Sequence, residues 1–170
     1  MQRIKRQFGV RFAQMLAASP TLVVDLEEIR RRGVKIRRVR GPCHAESIAS
    51  EKLIRIGRSC STLTQLLYLA HESEHVLRGS TPEPSSRTLT RKQYVKMSLD
   101  EETQCVMHEI KVSGELIAAG YKLDDNAMTW YRRYRRGGRA AVRRAIAKTI
   151  ASATDELYPR YYGRQYDEAS

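Results

Sequence analysis

The chain has 170 residues, with 31 Lys and Arg against 19 Asp and Glu, a formal net charge of +12 and 41% hydrophobic residues. That length suits one domain, large enough to bury a core and hold a metal ion without disulfide support. No apolar run approaches the roughly 20 residues of a membrane span, so a helical membrane protein is excluded. Cys43, Cys60 and Cys105 are odd in number and scattered, with no C-x-x-C pair. Free thiols and a reducing, cytoplasmic setting are therefore expected. Cys43-His44 has no further donors nearby in sequence, and both read as ordinary residues.

The first 24 residues carry Arg3, Lys5, Arg6 and Arg11 and no acid. Gln14 interrupts this segment, and it lacks an apolar stretch before Pro20, so it reads as a basic amphipathic helix rather than a targeting peptide. Ser19-Pro20 opens a short helix bearing Leu22, Val23, Leu26 and Ile29, which Gly33 ends. Residues 34–39 and 53–56 read as strands, with turns at Gly41-Pro42 and Gly57, and 46–49 reads as a shorter strand.

A helix is predicted over 62–77, opened by Thr62-x-x-Gln65 and stopped at Gly79. Leu66, Leu69, Ala70, Ser73, Val76 and Leu77 fall on one face, suited to a core. The helix carries His71-Glu72-Ser73-Glu74-His75, an H-E-x-x-H run whose His71 and His75 lie roughly opposite that face. Its two imidazoles are about 40° apart around the axis and about 6 Å apart along it, so both rings can reach one ion. Neutral imidazoles hold Zn²⁺ while leaving room for a water, and Glu72 is placed to take that water's proton as general base. Glu74 lies on another flank and reads as a solvated charge or a salt bridge.

A catalytic zinc takes three protein ligands, so His71 and His75 need a third. The metzincin pattern fails, because Arg78 and Thr81 stand where its Gly and His would be. A second helix over 98–119, with Ser98-x-x-Glu101 as its capping box and Gly120 as its stop, offers better candidates. Glu102 and Glu109 fall within its apolar sector, among Leu99, Val106, Ile110 and Leu116, whereas Asp100, Lys111 and Glu115 point away. Buried carboxylates are paired, protonated or metal-bound. Glu102 is the expected metal ligand. Glu109 is expected either to support the site or to pair with an arginine, and Glu101 either to cap its own helix or to stand in as ligand or supporting group.

The order H-E-S-E-H, a variable loop, then Leu99-Asp100-Glu101-Glu102-Thr103-Gln104-Cys105 with Glu109 beyond resembles the small gluzincin-type metallopeptidases of bacteria and phages. More distantly, it is similar to the ImmA/IrrE group. The resemblance implies that Glu102 completes the zinc site within an E-x-x-A pattern, with Cys105 replacing the small Ala. It also implies an α+β, minimal zincin-like fold: a small three-stranded sheet packed on the motif helix and a second ligand-bearing helix. Residues 1–120 would form this core, and 121–170 a basic helical extension. In such a fold an edge strand lies along the cleft and can pair with an extended peptide, and 53–56 is the strand chosen for it.

Residues 80–97, with Pro82, Pro84, Ser85 and Ser86, read as an exposed loop that serves as a lid or a plain connection. Beyond the core, Arg132, Arg133, Arg135, Arg136, Arg139, Arg143, Arg144 and Lys148 are interleaved with Trp130, Tyr131 and Tyr134. Such a set can bind phosphates and stack on bases, so nucleic acid is one expected partner. The other expectation is a solvated helix pair divided at Gly137-Gly138, its second helix over 140–153 packing Val142, Ile146 and Ile150 inward. Tyr158-Pro159 onward reads as a poorly ordered tail. The sequence thus favours a zinc metallopeptidase acting on a protein or peptide. A non-enzymatic module binding nucleic acid or an anionic surface, with a structural or degenerate zinc site, is the alternative.

Overall fold

A computed structural model describes residues 2–78, 82–86, 88–151 and 154–169. The basic N-terminus forms two helices rather than one, α1 (Gln2–Phe8) and α2 (Val10–Ala17). They break at Gly9, whose φ of 94° suits a residue without a β-carbon. Together they deliver Phe8, Phe12, Met15 and Leu16 to the core. Ser19 caps α3 (Pro20–Arg31) as expected, its Oγ accepting from the Leu22 amide at 3.3 Å. The Ser19 and Thr21 hydroxyls both donate to Glu115, which therefore anchors the start of α3 instead of facing solvent.

Three strands follow: β1 (Lys35–Val39), β2 (Ala45–Ile48) and β3 (Leu53–Gly57), in the order β1-β3-β2. β3 runs parallel to β1 and antiparallel to β2. The expectation that 53–56 is the edge is thus overturned. Leu53, Ile54 and Ile56 are all buried, the near-continuous apolar run of a strand covered on both faces. The edges are β1 and β2.

Cys43 and Cys60 form a disulfide with Cα atoms 4.7 Å apart, so the expectation of three free thiols is wrong. The turns after β1 and β3 lie side by side, which the scattered spacing concealed. A cytoplasmic setting inferred from unpaired cysteines loses its basis, since disulfides persist where conditions are oxidising.

The motif helix is α4 (Thr62–Arg78), with Gly79 outside the described residues. Ser61, not Thr62, caps it, accepting from the Thr64 amide at 3.1 Å, while Gln65 donates to the Cys60 carbonyl at 2.7 Å. The second helix, α5 (Arg91–Ala118), starts seven residues earlier than predicted. Its capping box is Thr90 with Gln93, and Ser98 is buried inside it. Much of the presumed loop 80–97 is therefore helix; the rest of its described part holds a short 3-10 turn at Pro84–Ser86.

α6 (Asp125–Ile146) is bent at Gly137 and Gly138, where the division was expected, but its second arm stops before residue 147. A bridge between Ile150 and Leu157 turns the chain into α7 (Tyr158–Glu168), so the presumed tail is a helix. α4, α6 and α7 all pack on α5. One core joins α1–α3, the sheet, α4 and the end of α5; a second, of Leu99, Val106, Ile110, Val142 and Ile146, joins α5 to α6. The architecture is α+β, and no helix among the described residues is long and apolar enough to cross a membrane.

Gly57 lies where β3 meets the disulfide turn, and a β-carbon there would fall 2.0 Å from the Pro42 carbonyl oxygen. Backbone cannot yield cheaply. Gly57→Ala is expected to lower stability by about 1–3 kcal/mol, read from the midpoint of denaturant unfolding.

Candidate metal centre

α4 and α5 lie side by side, and their facing surfaces bring His71, Glu72 and His75 against Glu101, Glu102 and Glu109. Each imidazole is held from behind. His71 Nδ1 donates to Glu109 Oε1 at 2.6 Å, and His75 Nδ1 donates to Glu101 Oε1 at 2.7 Å. Both Nδ1 atoms being occupied, both Nε2 atoms turn inward and stand 3.3 Å apart. Glu102 closes the triangle: Oε2 is 3.4 Å from His71 Nε2 and Oε1 is 3.7 Å from His75 Nε2.

Two of these separations, 3.3 and 3.4 Å, have the dimensions of a zinc site, and the third, 3.7 Å, runs to the other carboxylate oxygen. Ligands about 2.0–2.1 Å from a tetrahedral zinc are spaced about 3.3–3.4 Å apart. A carboxylate behind a ligating histidine is the usual way of fixing its tautomer and ring orientation, and two of two are present here. Glu109 therefore supports His71, and Glu101, inside α5 rather than at its start, supports His75. Cys105, one turn after Glu102 on α5, also belongs to the cluster. His71, His75 and Cys105 offer ligand atoms within 4.8 Å of one another, a group able to hold a metal ion.

Charge explains the arrangement. Burial opposes protonation of His71, yet Glu102 and Glu109 outweigh it and hold its pKa well above the usual 6.5. Burial likewise opposes protonation of His75, and Glu101 leads the groups that raise it. Burial would push Glu102 up, but His71, His75 and the Tyr162 hydroxyl bring it down to about 2. The seam demands a cation, whether a proton or a metal ion. Cys105 is the opposite case, since burial and then the neighbouring carboxylates push its thiol up and disfavour the thiolate.

The C-terminal helix completes the site, and sequence reasoning missed it. Tyr162 of α7 donates its hydroxyl to Glu102 Oε1 at 2.5 Å. Burial, followed by Glu102, pushes the Tyr162 pKa up, so the phenol remains a donor across the physiological range. Tyr158, Tyr162 and Tyr166 recur every four residues, a helical stripe that was readable. Tyr94 of α5 packs against both Tyr162 and Tyr166.

Beside the triangle opens a cavity of ≈ 220 Å³ lined by His71, Glu72, Glu102 and Glu109, with Tyr68, Trp130 and Tyr158. His44 and Ala45, where the chain enters edge strand β2, form another part of its wall. Glu74 is buried, not solvated; it pairs with Arg78 and lies 3.4 Å from His108 Nδ1. His108 Nε2 in turn meets Asp25 at 2.6 Å, a buried tie from α3 through α5 to α4.

Without metal, the His71 contribution to stability is complete below about pH 6.5 and is lost as pH rises through its elevated folded value. The Glu102 contribution is complete above about pH 4.5 and is lost as pH falls toward 2. A bound divalent ion replaces the proton. The increase in melting temperature on adding zinc is accordingly expected to be larger at pH 8 than at pH 6, measured by thermal unfolding in the two buffers.

No protein-family model matches the chain, and neither the curated proteins nor the solved structures searched contain a match.

Proposed function

We propose that the chain is a zinc-dependent peptidase of gluzincin type, with His71, His75 and Glu102 as metal ligands and Glu72 as general base. The observation that carries this reading is the triangle of two Nε2 atoms and one carboxylate, with each imidazole braced by its own glutamate. A bound ion would polarise the scissile carbonyl and acidify a water beside it.

The chain's own groups would do the rest. Glu72 follows His71 on α4 and lines the same cavity, where it accepts the proton of the attacking water and returns it to the leaving nitrogen. β2 is an edge strand whose first residue borders that cavity, so its unpaired backbone edge can align an extended peptide by strand addition. β2 takes the role first assigned to 53–56. Tyr162 orients Glu102, and Glu101 and Glu109 orient the imidazoles.

A second reading has one observation in its favour. With Cys105 added to His71, His75 and Glu102, four donors would be available, and a closed four-ligand zinc is structural rather than catalytic. The Glu102 carboxylate, within 3.4 Å of His71 Nε2 and 3.7 Å of His75 Nε2, favours the open three-ligand site.

Metal analysis after dialysis is expected to find one zinc per wild-type chain and none in His71→Ala. Tyr162→Phe should weaken zinc affinity by about 10–100-fold, read by competition with a chelator. Glu72→Gln should keep its zinc while losing about 10²–10⁴-fold in hydrolysis of an unstructured protein substrate. Loss of zinc from Glu72→Gln, or its full activity, would contradict these roles.

A further inference from the structure

The metal cavity does not end at its own wall. Asn126, Trp130 and Thr149 line it and also line a neighbouring groove of ≈ 700 Å³ formed by the two arms of α6 and the residues just after it. One arm contributes Asn126, Thr129, Trp130 and Arg133, and the other Ala141, Arg144 and Ala145, with Lys148 just past its end. Both sets follow the i, i+3, i+4, i+7 spacing of one helix face. The bend that faces the arms toward one space requires Gly138, whose φ is 58° and ψ −161°. Arg136 joins Arg133 and Arg144 around a further hollow at the bend.

Among the described residues, no carboxylate lines either hollow. Arg133 lies over the Trp130 ring, 5.6 Å from its centroid, and Arg133, Arg136, Arg144 and Lys148 are exposed. No ion pair among the described residues neutralises these four. Arg143 pairs with Asp100 at 2.5 Å and Arg139 donates to Gln104 at 2.7 Å, while the exposed Arg132 and Arg135 line neither hollow. Arg133, Arg136, Arg144 and Lys148 are thus the cations gathered beside the metal cavity.

We infer that this groove is the subsite for an acidic stretch of the peptide substrate, flanking the bond placed at the metal centre. The inference rests on the peptidase reading and names its substrate class. A segment rich in Asp and Glu, entering along β2 and leaving over α6, would place carboxylates against Arg133, Arg144 and Lys148 while Trp130 packs on its backbone. Nucleic acid fits less well, because a phosphate backbone needs a continuous track of cations and the exposed Arg132 and Arg135 line neither hollow.

The test uses the zinc-loaded Glu72→Gln chain, which should bind without cutting, and a fluorescent Glu-rich peptide beside its Gln-for-Glu counterpart. The acidic peptide is expected to bind about tenfold tighter, the size of two or three partly exposed ion pairs, and the advantage should shrink with added salt. Adding Arg144→Glu and Lys148→Glu, both at exposed positions, should abolish that preference with zinc content and melting temperature unchanged. Equal binding of the two peptides, or a preference that survives charge reversal, overturns the inference. So does a single-stranded oligonucleotide that displaces the acidic peptide from the groove and binds more tightly. Hydrolysis by wild type separates the two claims. Equal kcat/KM on acidic and neutral peptides removes the acidic subsite and leaves the peptidase standing; acidic binding by a chain that cuts no peptide supports the groove and removes the peptidase.

Discussion

Two imidazoles and three carboxylates share one buried seam between α4 and α5, and such a seam cannot be left without a compensating cation. His71 and His75 face each other through Nε2 because Glu109 and Glu101 occupy their other nitrogens. Glu102 is ionised at the remaining corner. A proton on His71, and one on His75, whose pKa Glu101 also raises, partly meet the demand. A divalent ion would meet it more fully, because the proposed inward donors would share it.

The rest of the fold holds that seam in place. The buried Leu66, Leu69 and Ala70 face of α4 fixes the rotation of the motif helix, and Asp25, His108 and Glu74 tie α3, α5 and α4 together on another flank of the seam. α7 is different, since its Tyr162 reaches Glu102 directly, and Arg91 with Asp167 and Tyr166 with the Leu89 carbonyl clamp that helix to the start of α5. The basic extension is therefore part of the site. Its first helix lends Trp130 to the cavity wall, and its last lends a hydrogen bond to a proposed ligand.

What was legible in the sequence is what depends on local spacing. The i, i+4 histidines, the Ser19-Pro20 cap, the Gly137-Gly138 division and the core-facing Glu102 and Glu109 all follow from helix geometry and from backbone freedom at glycine. What was not legible depends on contacts distant in sequence. Cys43 and Cys60 pair because two turns meet at one end of the sheet, and strand order is set by packing that no short window contains. Ser98-x-x-Glu101 imitates a capping box as faithfully as Thr90-x-x-Gln93, and only burial of Ser98 tells them apart. Tyr162 was set aside because polar aromatic segments near a terminus are often loose, although its four-residue periodicity with Tyr158 and Tyr166 marked a helix.

Zinc K-edge X-ray absorption on the purified, zinc-loaded chain tests the centre most directly, because it reads the ligand atoms themselves. The account predicts a first shell of nitrogen and oxygen only, at about 2.0–2.1 Å, with imidazole scattering from two histidines. A sulfur at about 2.3 Å would put Cys105 on the metal and close the site, and a chain that retains no zinc would leave the seam without its ion.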